Sequence, residues 1–171
     1  MNVEDIELLV LDVDGVLTDG SLFYDDHGQE YKAFNSRDGH GMRMLQEVGI
    51  RVALLTGRQS GIVTHRAANL GIAPELVYQG YRDKRPAFKA LLQQTGLQAA
   101  QVAYMGDDVV DLPVMMQVAL PIAVADAHPF VQQHARYVTQ AAGGRGAVRE
   151  VCEMLLDGRG LLQEKLQHYL Q

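Results

Sequence analysis

Apolar and polar positions fall into alternating blocks along this chain. Ile6-Glu7-Leu8-Leu9-Val10-Leu11 is mostly apolar and rich in branched side chains, which reads as a strand covered on both faces. Arg51-Val52-Ala53-Leu54-Leu55, Leu76-Val77-Tyr78, Gln101-Val102-Ala103-Tyr104-Met105 and Pro121-Ile122-Ala123-Val124 are runs of the same kind, and Tyr137-Val138-Thr139 is a sixth candidate. Helical spacing lies between them. One helix runs through Met42, Met44, Leu45 and Val48, with Ser36 or Asp38 as its cap and Gly49 as its stop. Further helices are expected over 61–70, over 84–95 with Pro86 in the first turn, over 110–116, around 129–134, over 147–156 and from about Leu161. Strands alternating with helices predict right-handed βαβ units, hence an α/β fold with a doubly wound, mostly parallel sheet.

One stretch breaks this rhythm. Ser21-Leu22-Phe23-Tyr24 and Gln29-Glu30-Tyr31-Lys32-Ala33-Phe34 flank Asp25-Asp26-His27-Gly28, a β-hairpin over about 21–34. Its second arm alternates polar and apolar residues, so one face is expected to be covered. No repeat, low-complexity stretch or linker interrupts the chain, so 1–171 is expected to be one domain ending in a tail from about 140 to 171.

Length and composition narrow the class. A chain of 171 residues buries roughly 70% of its unfolded surface as a single domain. No apolar run approaches the ~20 residues that span a bilayer, and the acidic start Met1-Asn2-Val3-Glu4-Asp5 lacks the features of a signal peptide. The lone Cys152 excludes an internal disulfide and fits a reducing compartment, the cytoplasm by default. It shares a helix with Val148, Val151 and Leu155 and reads as core. The net charge of −6 excludes a broad nucleic-acid footprint. Yet Arg37, Arg43, Arg58, Arg66, Arg82, Lys84 and Arg85 fall in one half of the chain, which leaves room for a local anion site.

The candidate chemistry stands where the strands end. Asp12 and Asp14 follow the first strand, Thr56 and Gly57 the second, and Asp107, Asp108 and Asp111 the fourth, while Lys84 opens the helix after the third. In an open α/β sheet the carboxyl ends of the strands form the ligand site. Each cluster alone is also what a turn looks like; all four in this order are harder to dismiss. Five crowded carboxylates ask for a cation, and an all-oxygen set favours a hard one, Mg²⁺ first. Thr56, Gly57 and Lys84 offer donors for phosphoryl oxygens. Together they read as phosphoryl transfer through an Asp nucleophile, with a second carboxylate, Asp14, placed to protonate the leaving oxygen and then activate water.

Asp12-Val13-Asp14-Gly15-Val16, Leu54-Leu55-Thr56-Gly57-Arg58, Lys84 and Gly106-Asp107-Asp108-Val109-Val110-Asp111 resemble the four motifs of the haloacid-dehalogenase-like phosphatases, almost end to end. Asn35-Ser36-Arg37-Asp38-Gly39, Val124-Ala125-Asp126-Ala127-His128-Pro129 and Gly143-Gly144-Arg145-Gly146-Ala147-Val148-Arg149-Glu150 are most similar to the 3-deoxy-D-manno-octulosonate 8-phosphate phosphatases within them. The resemblance implies a Rossmann-like α/β domain that releases phosphate from this eight-carbon sugar-acid phosphate, a step of lipopolysaccharide synthesis. It implies that Asp12 is the nucleophile and a Mg²⁺ ligand, and that Asp14 is the acid/base, touching substrate and giving the metal its backbone carbonyl. Asp107 becomes the third ligand, supported by Asp108 and Asp111. Thr56, Gly57 and Lys84 hold phosphate, and Asn35, Ser36, Arg37, Asp38 and Gly39 contact the sugar acid with Arg43, Arg58 and Arg66.

Substrate access adds an expectation. About forty residues separate Asp14 from Thr56 and hold only the hairpin and a helix, and nothing between Thr56 and Lys84 is large enough for a cap domain. The site is therefore open in a monomer. The resemblance implies a homotetramer in which hairpins pack together and the tail after Tyr137 reaches a neighbour's site, making Arg145 functional. Three other readings compete. A phosphoryl-accepting signalling receiver needs its Asp on a middle strand, where Thr56-Gly57-Arg58 stands instead. An inactive assembly protein has no need of the carboxylates. A nine-carbon sugar-acid phosphate keeps the chemistry, but would favour Glu at the position of Arg58.

Overall fold

A computed structural model describes residues 3–171. Its strands are Leu8–Leu11 (β1), Phe23–Tyr24 (β2), Glu30–Tyr31 (β3), Arg51–Leu55 (β4), Val77–Tyr78 (β5), Val102–Gly106 (β6), Leu120–Ala123 (β7) and Tyr137–Val138 (β8). Six of them form one sheet in the order β5-β4-β1-β6-β7-β8, with every pairing parallel. The helices are Ser36–Glu47 (α1), Gly61–Asn69 (α2), Arg85–Thr95 (α3), Leu112–Met115 (α4), Pro129–His134 (α5), Ala147–Gly158 (α6) and Leu162–Gln167 (α7). This is the expected α/β fold with a parallel sheet.

The central strand explains the topology. All four residues of β1 are fully buried, so it needs a hydrogen-bonded neighbour on each edge and apolar cover on each face. β4 and β6 supply the edges in matching register, with Leu11 beside Leu54 on one side and Met105 on the other. The carboxyl ends of three strands therefore finish side by side. One hydrophobic cluster joins these strands to Met42, Met44 and Leu45 of α1, Phe88 and Leu91 of α3, and Val148, Val151, Cys152, Leu155 and Leu156 of α6. Cys152 is core, as its helical position predicts.

Several boundaries differ from the sequence expectation for local reasons. The cap of α1 is Asn35, whose side chain accepts from the N–H groups of Arg37 (2.8 Å) and Asp38 (3.4 Å), not Ser36 or Asp38. The helix expected over 110–116 shortens to α4, because 108–111 is a turn held by the Asp111 carboxylate. The hairpin arms pair over only two residues each.

Much of the segment after Tyr137 packs on its own chain. β8 extends the sheet, and α6 presses its apolar face on α1 because those residues are otherwise without cover. Asp38 binds the two helices together. It is 1% exposed, and its Oδ1 accepts from Arg149 N at 2.8 Å. That N–H is in the first turn of α6, whose own cap residue, Gly146, has no side chain to offer. Burial raises the pKa of Asp38 against the opposing pull of the α6 N–H groups. Asp38→Ala is therefore expected to lower unfolding stability by about 1–2 kcal/mol, the typical cost of a lost helix cap, while KM stays unchanged. Urea denaturation and steady-state kinetics check it; a raised KM with unaltered stability would contradict this placement.

Candidate active site

Asp12 ends β1 in extended conformation, and the chain then leaves the strand in a wide turn over Val13–Leu17, closed by Thr18 N donating to Val13 O at 3.1 Å. Gly15 makes that turn possible, since its φ is +89° and a side chain there would run into the Asp107 carboxylate. The buried Thr18 hydroxyl accepts from Gly15 N (3.3 Å) and Gly20 N (3.2 Å), which pins the loop from inside.

A second segment presses on the loop from outside. Gly144 N donates to Val16 O at 2.9 Å, and Gly143 lies so close to the Gly15 carbonyl that no Cβ would fit. Gly143 N is held in turn by the Asp126 carboxylate at 2.9 Å. Gly143-Gly144 thus forms a strap across the loop that carries Asp14.

At the ends of β1 and β6, carboxylates crowd together. Oxygens of Asp12, Asp107 and Asp111 come within 4.8 Å of one another. Burial, followed by repulsion from Asp111, pushes Asp12 up to about 7 despite the opposing pull of Lys84. Burial, then Asp12, Asp111 and Asp108, push Asp107 up to about 8. Both groups hold their protons more tightly than usual, first because they are buried and then because negative charge is in surplus, a setting that suits a cation.

The three carboxylates are not equivalent. Asp111 is fully buried and its oxygens are engaged: Oδ1 accepts from Lys84 Nζ (2.6 Å) and the Tyr104 hydroxyl (2.6 Å), and Oδ2 from the N–H groups of Asp107 (3.0 Å) and Asp108 (3.3 Å). It shapes the loop that presents Asp107 and has little left for a metal. Asp12 and Asp107 keep oxygen capacity, although Asp12 Oδ1 accepts from Val13 N and Oδ2 stands 3.0 Å from Lys84 Nζ. Asp108 is exposed and bonds its own neighbour, Val109 N. The donors fit a hard divalent cation.

Lys84 stands at the start of α3 and is 2% exposed. Burial alone would favour its neutral form, but Asp12 and Asp111 outweigh that and raise it further, so it stays an ammonium. Tyr104 also bonds it, at 3.2 Å, and burial keeps the phenol protonated. Thr56, buried at the end of β4, accepts from Arg58 N at 3.3 Å, which leaves its own proton for a ligand. Gly57 is half-buried beside it.

The residues expected to contact a sugar acid separate into three places. Arg58 stands beside the carboxylates, its Nε 3.8 Å from Asp14 Oδ2 and its Nη2 bonded to Tyr24 and Glu30. Arg66 donates to Asn35 O at 3.3 Å and lies over the Phe34 ring, with Arg43 close enough to lower its pKa and bonded to Asn69 O. Gly39 is buried, and its missing side chain makes room for the Arg66 guanidinium. Ser36 is exposed at the start of α1. Arg37 and Arg145 line a separate cleft with Arg149 and Glu150. Arg145 pairs with Asp19 of its own chain at 3.2 Å.

Two side chains at the site were not singled out by the sequence reading. Tyr104 stands in the fourth strand, where a phenol buried on both faces needs a polar partner. Lys32 follows the hairpin strand β3, and its side chain is buried and bonded to Asp14.

The charge surplus has a thermodynamic consequence. In the unfolded chain both carboxyls return to an ordinary value near 4. The folded state therefore binds extra protons, and without a cation it loses stability as pH rises from about 4 toward about 8. Added Mg²⁺ is expected to raise the melting temperature more at pH 8 than at about pH 5. Thermal melts in chelator and in Mg²⁺ check this; an equal gap at both pH values would contradict it.

Comparison with known proteins agrees with this geometry. A family model described as haloacid dehalogenase-like hydrolase matches residues 75–151. The chain is 52% identical over 161 residues to the 3-deoxy-D-manno-octulosonate 8-phosphate phosphatase KdsC of Escherichia coli K12, covering 94% of this chain and 85% of that one. It superposes on the crystal structure of the Yersinia pestis phosphatase of the same name with a TM-score of 0.92 at 49% identity, over 94% of this chain and 86% of that one. The Moraxella catarrhalis phosphatase, solved with magnesium, phosphate and KDO, gives 0.94 at 36% identity over 98% and 95% of the two chains. On its sequence, its parallel sheet and the site at the carboxyl ends of β1, β4 and β6, this chain belongs to the 3-deoxy-D-manno-octulosonate 8-phosphate phosphatase family of haloacid dehalogenase-like hydrolases.

Proposed function

We propose that this chain is a Mg²⁺-dependent phosphatase that converts 3-deoxy-D-manno-octulosonate 8-phosphate to the free sugar acid and phosphate. The observation that carries the reading is the group of buried Asp12 and Lys84 with half-buried Asp107, at the carboxyl ends of the same strands as Asp14 and Thr56. The likeness to relatives named for this reaction supports the substrate.

The residues divide the chemistry as follows. Mg²⁺, held by the Asp12 and Asp107 carboxylates and the Asp14 backbone carbonyl, lessens the repulsion between a phosphate dianion and the Asp12 carboxylate. An Asp12 oxygen attacks phosphorus while the bond from phosphorus to the sugar oxygen breaks. Asp14 gives that oxygen its proton. Asp14 then takes a proton from water, whose oxygen attacks the phosphorus of the aspartyl-phosphate. The Asp12 carboxylate is regenerated and phosphate leaves. Thr56, Gly57 and Lys84 donate to the phosphoryl oxygens throughout. Lys84 brings a second benefit, since its ammonium already faces Asp12. Asp108 and Asp111 support the metal loop from behind.

Sugar recognition is assigned to the arginines. Arg58 is best placed, being beside Asp14 and partly exposed. Arg43 and Arg66, with Asn35 and Ser36 near the start of α1, are proposed as the outer part of the site, Gly39 giving the Arg66 guanidinium room, whereas Arg37 lies in the separate cleft with Arg145. Asp38 contributes by fixing α1 to α6 and not by touching the sugar.

The working form is proposed to be a homotetramer of this single domain in the cytoplasm. No helix of the described residues is long and apolar enough to cross a membrane. Phe23 and Tyr24 are each 52% exposed on the hairpin, with Leu22 and Tyr31 about as open. A two-stranded hairpin with an uncovered apolar face gains stability from a partner surface. Hairpins packed together would also close a site that has no cap domain.

The test is phosphate release from the eight-carbon substrate, a nine-carbon analogue and simple sugar phosphates, with Mg²⁺ and with chelator. Strong Mg²⁺-dependent preference for the first is expected, and Asp12→Asn is expected to abolish turnover in a folded protein. Equal slow hydrolysis of all substrates would overturn the substrate assignment, and an active Asp12→Asn would overturn the mechanism. For the assembly, Phe23→Asp is expected to reduce the mass measured by light scattering.

A further inference from the structure

The hairpin meets the site through charge. Lys32 follows β3, and its side chain is 1% exposed. Its Nζ donates to Asp14 Oδ1 and stands 3.2 Å from Glu30 Oε1. The same Glu30 oxygen accepts from Arg58 Nη2 at 3.0 Å, and Arg58 Nε faces the other Asp14 oxygen at 3.8 Å. Asp14, Lys32, Glu30 and Arg58 thus form a closed ring of alternating charge.

The two cations of the ring differ in what they can reach. The Arg58 side chain is 43% exposed and open to a ligand. Lys32 is enclosed, with carboxylates on both sides. A buried ammonium is costly to desolvate and is a poor choice for merely seating a hairpin, where an apolar side chain would serve. Nor does a side chain 1% exposed present a surface to a substrate anion. What it does contact is the carboxylate whose orientation decides where a proton goes. Glu30 is its brace: burial pushes Glu30 up, but hydrogen bonds from Lys32 and Arg58 outweigh this and keep it ionised.

We propose that Lys32, braced by Glu30, is a positioning residue for the proton-transfer steps, holding the Asp14 carboxylate in the orientation that protonates the leaving oxygen. The inference rests on the reading of Asp14 as acid and base. No bond is made or broken at Lys32, so its effect falls on kcat and not on KM. The hairpin then has a duty in catalysis besides any duty in assembly.

The test uses two substrates that differ in their need for a proton. A sugar phosphate expels an alkoxide and needs the acid, whereas p-nitrophenyl phosphate expels a stable phenolate. First-turnover release of the leaving group is measured at saturating substrate, with KM from steady-state rates. Lys32→Met is expected to slow release from the sugar phosphate by about 10- to 100-fold, the scale of a catalytic group displaced by about 1 Å. KM should stay within about threefold, and release from p-nitrophenyl phosphate should change far less. Lys32→Arg is expected to recover part of the loss. Glu30→Gln should shift both substrates in the same pattern while keeping the lysine, which provides the test if Lys32→Met fails to fold. Asp14→Asn separates the two claims. If Asp14→Asn spares p-nitrophenyl phosphate but the Lys32 and Glu30 variants slow both substrates equally, or raise only KM, the positioning role is overturned and the Asp14 reading survives. If Asp14→Asn itself slows both equally, the acid/base reading fails and this inference falls with it.

Discussion

Like charges forced together beneath the surface are the constraint on which this structure depends. The order of strands in the sheet places the ends of β1 and β6 next to each other, and each ends in a carboxylate. An apolar sheet that delivers two or three acids to one buried point must neutralise them. Lys84 does part of this from α3, and the rest falls to a bound cation. The buried ammonium, the fully bonded Asp111, the protonated Tyr104 phenol and the raised pKa values of Asp12 and Asp107 all answer the same electrostatic problem. The same surplus makes the arrangement receptive to a divalent metal, while Lys84 supplies positive charge toward a phosphate.

The remaining architecture serves to keep this group in register. Asp38 supplies α6 with a cap from a different helix, so α1 and α6 are tied by a polar contact inside an apolar interface. The hairpin adds a second, separately balanced charge group around Asp14. Asp12 and Asp14, two residues apart, thereby sit in different electrostatic settings, one shared with Asp107 and Lys84, the other with Lys32, Glu30 and Arg58. Groups assigned opposite proton-handling duties are commonly separated in this way.

Much of this was legible in the sequence because it depends on local order. Aliphatic runs marked β1, β4 and β6, and whatever follows such a strand must lie at its carboxyl end. That logic found Asp12, Thr56, Lys84 and Asp107 without knowledge of packing. It failed where long-range contacts decide. Lys32 occupies a polar position on an alternating arm, and only the fold turns that position toward Asp14. Asp38 follows a motif that looks ligand-facing, but its partner, the first turn of α6, lies far along the chain. The cap of α1 slipped by one residue because Asn35 and Ser36 are equally able in principle, and the backbone chose Asn35.

The strap formed by Gly143 and Gly144 has a bearing on biosynthesis. The loop beneath it, Asp14 to Thr18, leaves the ribosome early, whereas the residues that clamp it follow some 125 positions later, as Gly144 N reaches back to Val16 O. A nascent chain therefore carries Asp12, Thr56 and Lys84 before anything presses the loop into place, and a product terminated ahead of Gly143 would lack the strap that aligns it.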